Sequence, residues 1–145
     1  MEILSASLLD LNSLRFLEKA VFLQDAWPLL DLISVLSFAG VVRLKAVEGG
    51  RMIGFVAGDP RPREGFSWIS TLGVLPEYRH QGIGRALLTA CENELPTRLI
   101  HLSVRDDNES AINMYKIAGY YNIDRWTKYY NDGQDAIVME KLKLS

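Results

Sequence analysis

The stretch that decides the fold is Leu72-Gly73-Val74-Leu75-Pro76-Glu77-Tyr78-Arg79-His80-Gln81-Gly82-Ile83-Gly84-Arg85-Ala86-Leu87-Leu88. Its first residues continue a run from Trp68 that reads as a strand ending at Pro76. Its last residues open a helix from about Gly82 to Glu94, with Ile83, Leu87, Leu88 and Cys91 on one side, and Pro96 closes it. Between them lies a glycine loop, Arg79-His80-Gln81-Gly82-Ile83-Gly84. A helix N-terminus presents unpaired N–H groups and a partial positive charge. Glycines let a phosphate approach that main chain closely. Arg79, His80 and Arg85 add side-chain donors. By its chemistry the loop is a pyrophosphate cradle, although a G-x-G after a strand is equally well a plain tight turn. No G-x-x-x-x-G-K-[ST] occurs, which excludes a P-loop. A dinucleotide fingerprint fits poorly as well, because Ala86 misses the third position and a hairpin precedes the loop.

Upstream, residues 2–6 read as a short strand. Leu11, Leu14, Leu17 and Val21 set helical spacing from Asp10 to Phe22. Asp25-Ala26-Trp27-Pro28 reads as a second helix start, with Asp25 as cap, Pro28 near the first turn and Gly40 at the end. Val41–Val47 and Met52–Ala57 form a hairpin around Glu48-Gly49-Gly50-Arg51, and Pro60, Pro62 and Gly65 mark a loop. Downstream, Leu99–Val104 is a strand. Asp107 or Asn108 caps a helix that runs to Ala118, with Gly119 at its C-terminal cap. Tyr120–Tyr129 and Ala136–Leu142 are two last strands around Asn131-Asp132-Gly133. A hairpin followed by β-α-β-α-β implies a mixed α/β (α+β) fold, with the ligand site beside the central strand-to-helix junctions.

With 145 residues, the chain fits one domain, 1–145. The formal net charge of −2 argues against nucleic acid as a partner, which needs clustered positive charge. One cysteine, Cys91, cannot form an intrachain disulfide, so a reducing cytoplasm is expected. The N-terminus Met1-Glu2-Ile3-Leu4 shows no signal-peptide pattern. Apolar runs are broken well short of the roughly 18 residues a membrane span needs, so no membrane role is expected. Asp106 and Asp107 lack a second ligand cluster and read as a cap region, so no metal is expected.

The core Arg79-x-x-Gly82-x-Gly84 and the second motif Asn108-x-x-Ala111-x-x-x-Tyr115-x-x-x-Gly119-Tyr120 resemble the GCN5-related N-acetyltransferase (GNAT) family, in order and at the expected distance. Within it, the chain looks closest to ribosomal-protein-alanine and other protein N-terminal acetyltransferases. Glu18-Lys19-Ala20-Val21-Phe22 with Ala26-Trp27, then Leu102-Ser103-Val104-Arg105, then Tyr129-Tyr130 with Asp132-Gly133-x-Asp135-Ala136-x-x-Met139 carry that likeness. The resemblance implies a central mixed sheet of about six to seven strands flanked by about four helices, with acetyl-CoA as cofactor. It implies that the main chain of Leu72, Gly73 and Val74 pairs with the pantetheine amides. By the same likeness His80, Gln81, Gly82, Ile83, Gly84 and Arg85, beside Arg79, hold the pyrophosphate. Asn108 would touch the cofactor arm and Tyr115 would be the general acid.

A tyrosine suits that task, since its reference pKa of about 10 is near a thiol's and it can donate late. Tyr115 lies two turns beyond Asn108 on a similar helix face; a helical tyrosine taken alone reads as core packing. The base is the gap in the pattern. Relatives carry Glu or His where this chain has Ser103, and serine is no base of comparable strength. His101, on the same strand face by alternation, could act through a water, although a strand histidine is more often structural. Glu77 reads as a solvated turn residue and Cys91 as a buried, inert thiol. An α-amine, with a reference pKa near 7.7–8.0, is already about one-tenth neutral at pH 7. Loss of a base therefore costs an N-terminal acetyltransferase less than a lysine acetyltransferase, and Ser103→Ala is expected to leave kcat/KM unchanged. Tyr129 and Tyr130 form a wall for a peptide N-terminus or pack across a hairpin. Trp27 covers the first side chain or anchors its helix. The expected partner is a protein or peptide N-terminus, or else a small amine, with the chain a monomer or homodimer. The remaining alternative is an acetyl-CoA-binding module without turnover.

Overall fold

The computed structural model describes residues 1–144. Its elements in chain order are β1 (Glu2–Ser5), α1 (Leu11–Phe22), α2 (Leu29–Ser37), β2 (Val42–Glu48), β3 (Arg51–Arg61), β4 (Phe66–Val74), α3 (Ile83–Glu94), β5 (Leu99–Arg105), α4 (Glu109–Ile117), β6 (Tyr121–Trp126) and β7 (Ala136–Leu142). The strands form one seven-stranded sheet in the order β1-β2-β3-β4-β5-β7-β6. Every neighbouring pair is antiparallel except β4 and β5. The mixed α/β sheet with four α-helices is the one expected.

The helices divide between the two faces as strand alternation requires. A Cβ on Gly73 of β4 would meet Leu17, Val21 and Phe22 of α1. Its neighbour Val74 points the other way, toward Gly84 of α3 and Met114 of α4. Each helix buries an apolar stripe: Leu14 and Leu17 from α1, Leu32, Val35 and Leu36 from α2, Ile83, Leu87, Leu88 and Cys91 from α3. Gly54 and Gly58 on β3 are where α3 lies closest. A Cβ at Gly58 would stand 2.9 Å from Cys91 Sγ and from Leu95 Cδ2.

Three expectations are corrected, and one left open between two residues is decided. The hairpin strand β3 runs on through Pro60 to Arg61, so Pro60 is not in a loop. A proline needs no ladder donor of its own, and Pro60 pairs with Ser67 near the strand's end. Helix α2 starts after Pro28 without a side-chain cap, and Asp25 instead binds Arg105. The strand expected over Tyr120–Tyr129 stops at Trp126, leaving Tyr129 and Tyr130 in the β6–β7 connection. Asn108, not Asp107, caps α4, its Oδ1 accepting from Ala111 N–H at 3.2 Å.

Candidate active site

Strands β4 and β5 pair only over Phe66–Trp68 and Leu99–His101, then diverge. Beyond Trp68, β4 is bonded to β3 on one edge, so its other edge faces the opening. Leu72, Gly73 and Val74 lie there, where an extended ligand bearing amides can add as a strand. A bulge enters β4 opposite the Ala57/Gly58 step, leaving Ser70 unpaired. It therefore turns both Trp68 and Thr71 to the face of α1 and α2. From β5, His101, Ser103 and Arg105 share that face.

At the mouth of α3 the backbone amides of residues 80–85 donate to no protein group among the described residues. His80 and Gly82 have positive φ, 62° and 81°, which curls the chain into a concave row of N–H groups. A Cβ on Gly82 would meet nothing within 4 Å, so the space beside Gly82 is open. Gly84 lies against Val74 and Met114, which seats the helix on the sheet. Arg79 reaches Val74 O at 3.4 Å and is otherwise exposed, as are His80, Gln81 and Arg85. Six free amides flanked by the Arg79 and Arg85 guanidinium groups fit a diphosphate.

Asn108 spends its Oδ1 on the cap of α4. Tyr115 on that helix is only 7% exposed and lies edge-on to Tyr120, centroids 5.8 Å apart. Burial raises its phenol pKa, and the Tyr130 phenol acts in the same direction. Tyr115 thus stays protonated. Its hydroxyl has no hydrogen-bond partner among the described residues, yet it is not sealed off. Among the described residues the one fully enclosed side-chain atom left unbonded is Asp106 Oδ1.

Ser103 is half-buried and bonded to no side chain. His101 is held tightly: Nε2 lies 2.7 Å from Glu140, and the ring stacks on Phe66 at 4.5 Å with Trp68 edge-on at 5.3 Å. Glu77 is exposed, 4.0 Å from Arg51. Cys91 is fully buried, and burial pushes its thiol up to about 12. The structure groups Ser103, His101, Trp27, Tyr129 and Tyr130 on the α1–α2 face, with the cradle at the edge of the opening.

Two residues on that face entered the sequence reading only as parts of the family likeness, with no role of their own. Glu18 of α1 is 1% exposed; its carboxylate accepts from Trp27 N–H at 3.1 Å and from the Thr71 hydroxyl at 3.2 Å. The signal was there, because Glu18 falls within the apolar stripe of Leu14, Leu17 and Val21. Arg105 binds Asp25 at 2.7 Å and Asp107 at 3.0 Å, reaches Asp132, and lies 4.9 Å over the Tyr130 ring. It joins the loop that carries Trp27 to the loop that carries Tyr129 and Tyr130. Burial, aided by Tyr129 and Asp25, pushes the Tyr130 phenol up to about 12 despite Arg105.

Residues 7–120 match the model of the acetyltransferase (GNAT) family. The chain belongs to that family. It is an acetyltransferase. It is 30% identical over 131 residues to the N-alpha-acetyltransferase RimI of Mycobacterium tuberculosis, covering 86% of this chain and 82% of that one. It is 33% identical over 106 residues to an N-alpha-acetyltransferase of Sulfurisphaera tokodaii, covering 62% of each. Among solved structures, the Escherichia coli ribosomal-protein-S18-alanine N-acetyltransferase superimposes with a TM-score of 0.88. That match has 25% identity and covers 99% of this chain and 95% of the other. In this GNAT chain no described helix is long and apolar enough to cross a membrane.

Proposed function

We propose that the chain transfers an acetyl group from acetyl-CoA to the N-terminal α-amine of a protein or peptide. The observation that carries this is the opening between β4 and β5, with a six-amide anion cradle at its edge and an aromatic face beside it. In this reading the amides of residues 80–85, with Arg79 and Arg85, hold the diphosphate, and Leu72–Val74 hold the pantetheine arm. Acetyl-CoA supplies the thioester to be attacked. Tyr115, kept protonated by burial, gives its proton to the leaving sulfur. Trp27, Tyr129 and Tyr130 line the path of the peptide.

The acceptor is a cation before reaction, and the face suits one. Arg105 is outnumbered by Asp25, Asp107 and Asp132, which leaves two net negative charges beside the aromatic wall. A small-amine acceptor would draw on the cavity of about 440 Å³ lined by Trp27, Asp31, Val35, Phe38, Asp59 and Ser70 among others. There Arg61 takes the Asp59 carboxylate at 3.0 Å, so Asp31 leaves one net negative charge against two at the aromatic wall. N-alpha-acetyltransferases among the relatives support the peptide reading.

The test is thiol release from acetyl-CoA with peptides varied at their first two residues, run beside polyamines and lysine-side-chain peptides at pH 7. Turnover is expected with α-amines and at least tenfold less with lysine ε-amines, which are far less often neutral. Tyr115→Phe is expected to lower kcat by about a hundredfold or more while acetyl-CoA KM stays within about twofold. Faster turnover of polyamines than of any peptide, or acetyl-CoA binding with no thiol release, would overturn the proposal.

A further inference from the structure

Serine at position 103 leaves the α1–α2 face without a carboxylate base on β5, yet a complete base-and-orienter pair stands two residues away. We infer that His101, oriented by Glu140, is the general base of the acetyl transfer. The inference rests on the reading above and adds to it the group that takes the amine's proton.

His101 is the last residue of β5 paired with β4, so it sits where the two strands begin to diverge. Its side chain shares a face with Ser103, whose Cα is about 7 Å along the strand. Glu140 faces it directly across the β5–β7 ladder. The carboxylate accepts Nε2–H at 2.7 Å with one oxygen and the Tyr121 hydroxyl at 2.6 Å with the other. These two donors hold the Glu140 carboxyl below its ordinary range, so it remains an anion. An anion on Nε2–H fixes the neutral tautomer with its lone pair on Nδ1. Nδ1 has no hydrogen-bond partner among the described residues. Stacking on Phe66 and the edge of Trp68 fix the ring plane. A base held by a carboxylate that itself is held by a third group is the arrangement that activates nucleophiles elsewhere in enzymes. A purely structural histidine would need neither the free ring nitrogen nor a position at the divergence of the strands.

The protons balance. An α-ammonium carries three, and the amide product keeps one. The first passes through one water to Nδ1 and from His101 to solvent, which frees the nitrogen lone pair to bond the thioester carbon. The C–S bond breaks as Tyr115 gives its proton to sulfur. The second proton, acidic once nitrogen is bonded to the acetyl carbon, returns to the Tyr115 phenolate.

The experiment uses the full chain with a peptide that the parent protein acetylates. His101→Gln keeps a donor toward Glu140 but cannot accept a proton, and is expected to lower kcat by about tenfold at pH 7, where about a tenth of the amine is already neutral, and by less than about twofold at pH 9. KM for acetyl-CoA should change less than about twofold. His101→Ala opens a site between Phe66 and Trp68, and added imidazole is expected to restore its rate at pH 7 by about fivefold or more without affecting the parent. Glu140→Gln should lower kcat at pH 7 by about threefold. If both His101 variants retain parent kcat at pH 7, or if imidazole rescues nothing while both variants melt within about 2 °C of the parent, the inference is wrong. A parent that acetylates no amine would instead refute the function itself.

Discussion

A single carboxyl shows how a residue can serve the site without touching substrate. Glu18 lies within the apolar stripe of α1, and both of its oxygens are used, one on the Trp27 loop and one on β4. It fixes the loop that carries Trp27. Burial raises its pKa above the ordinary 4.5, while Trp27 N–H and the Thr71 hydroxyl pull it down. A carboxyl whose folded-state pKa is raised binds its proton more tightly in the fold. Its contribution to stability is fully present below the unfolded pKa and is lost as pH rises through the folded one. Glu18→Gln removes that titration and keeps an acceptor for Trp27 N–H. The melting temperature of the variant minus that of the parent is therefore expected to grow more positive from pH 4 to pH 7.5. Thermal melts across that range measure it, and a difference that does not change with pH would show that Glu18 carries no burial penalty.

At the scale of elements, the legible parts were those with local signals. Helix α3 was readable because its apolar stripe, glycine mouth and Pro96 are close together in sequence. The Ala136–Leu142 strand was readable from its apolar run after the Asn131-Asp132-Gly133 turn and has the bounds expected. Pro60 misled because turn chemistry is local, whereas its place in β3 depends on pairing with Ser67 after the turn. The roles of Glu18 and Arg105 were not legible because their partners, Thr71, Asp25 and Asp132, come from other elements. His101 was visible as a candidate, but Glu140 lies thirty-nine residues on, on β7. The seating of α3 on β3 was equally unreadable, since it turns on Gly58 meeting Cys91 and Leu95. Gly58→Ala would place a methyl 2.9 Å from two side-chain atoms of a packed interface. Gly58 is not among the positive-φ residues, so the substitution tests contact alone. The expected cost is about 1–3 kcal/mol, seen as a drop of several degrees in Tm. A melting temperature within 1 °C of the parent would mean that α3 rides higher on the sheet than the structure places it.

For the molecule as a whole, the weak seam is the one that makes the site. The sheet divides into β1–β4 and β5–β7, and only three residues on each side join the halves by main-chain pairing. Long antiparallel ladders hold each half: eight register pairs join β3 to β4, and seven join β5 to β7. Across the seam, Ser67 bonds Thr97 at 2.7 Å, and Arg105 ties β5 to the loop after α1. A ligand that adds a strand along Leu72–Val74 and grips the mouth of α3 takes up donors that the free protein leaves to water, and it does so only in the folded state. By mass action, CoA at a hundred times its Kd is expected to stabilise the fold by about 2.7 kcal/mol. For a domain of this size that corresponds to roughly 5–11 °C in Tm. In the proposed reaction the phenol acts on the leaving sulfur and not on the diphosphate, so Tyr115→Phe should keep the full shift. Arg79→Ala combined with Arg85→Ala should lose most of it, since these cations flank the six amides. Scanning calorimetry with and without CoA distinguishes the outcomes. An unchanged shift in the double variant would move the diphosphate away from the mouth of α3, and no shift in the parent would remove the cofactor from the opening altogether.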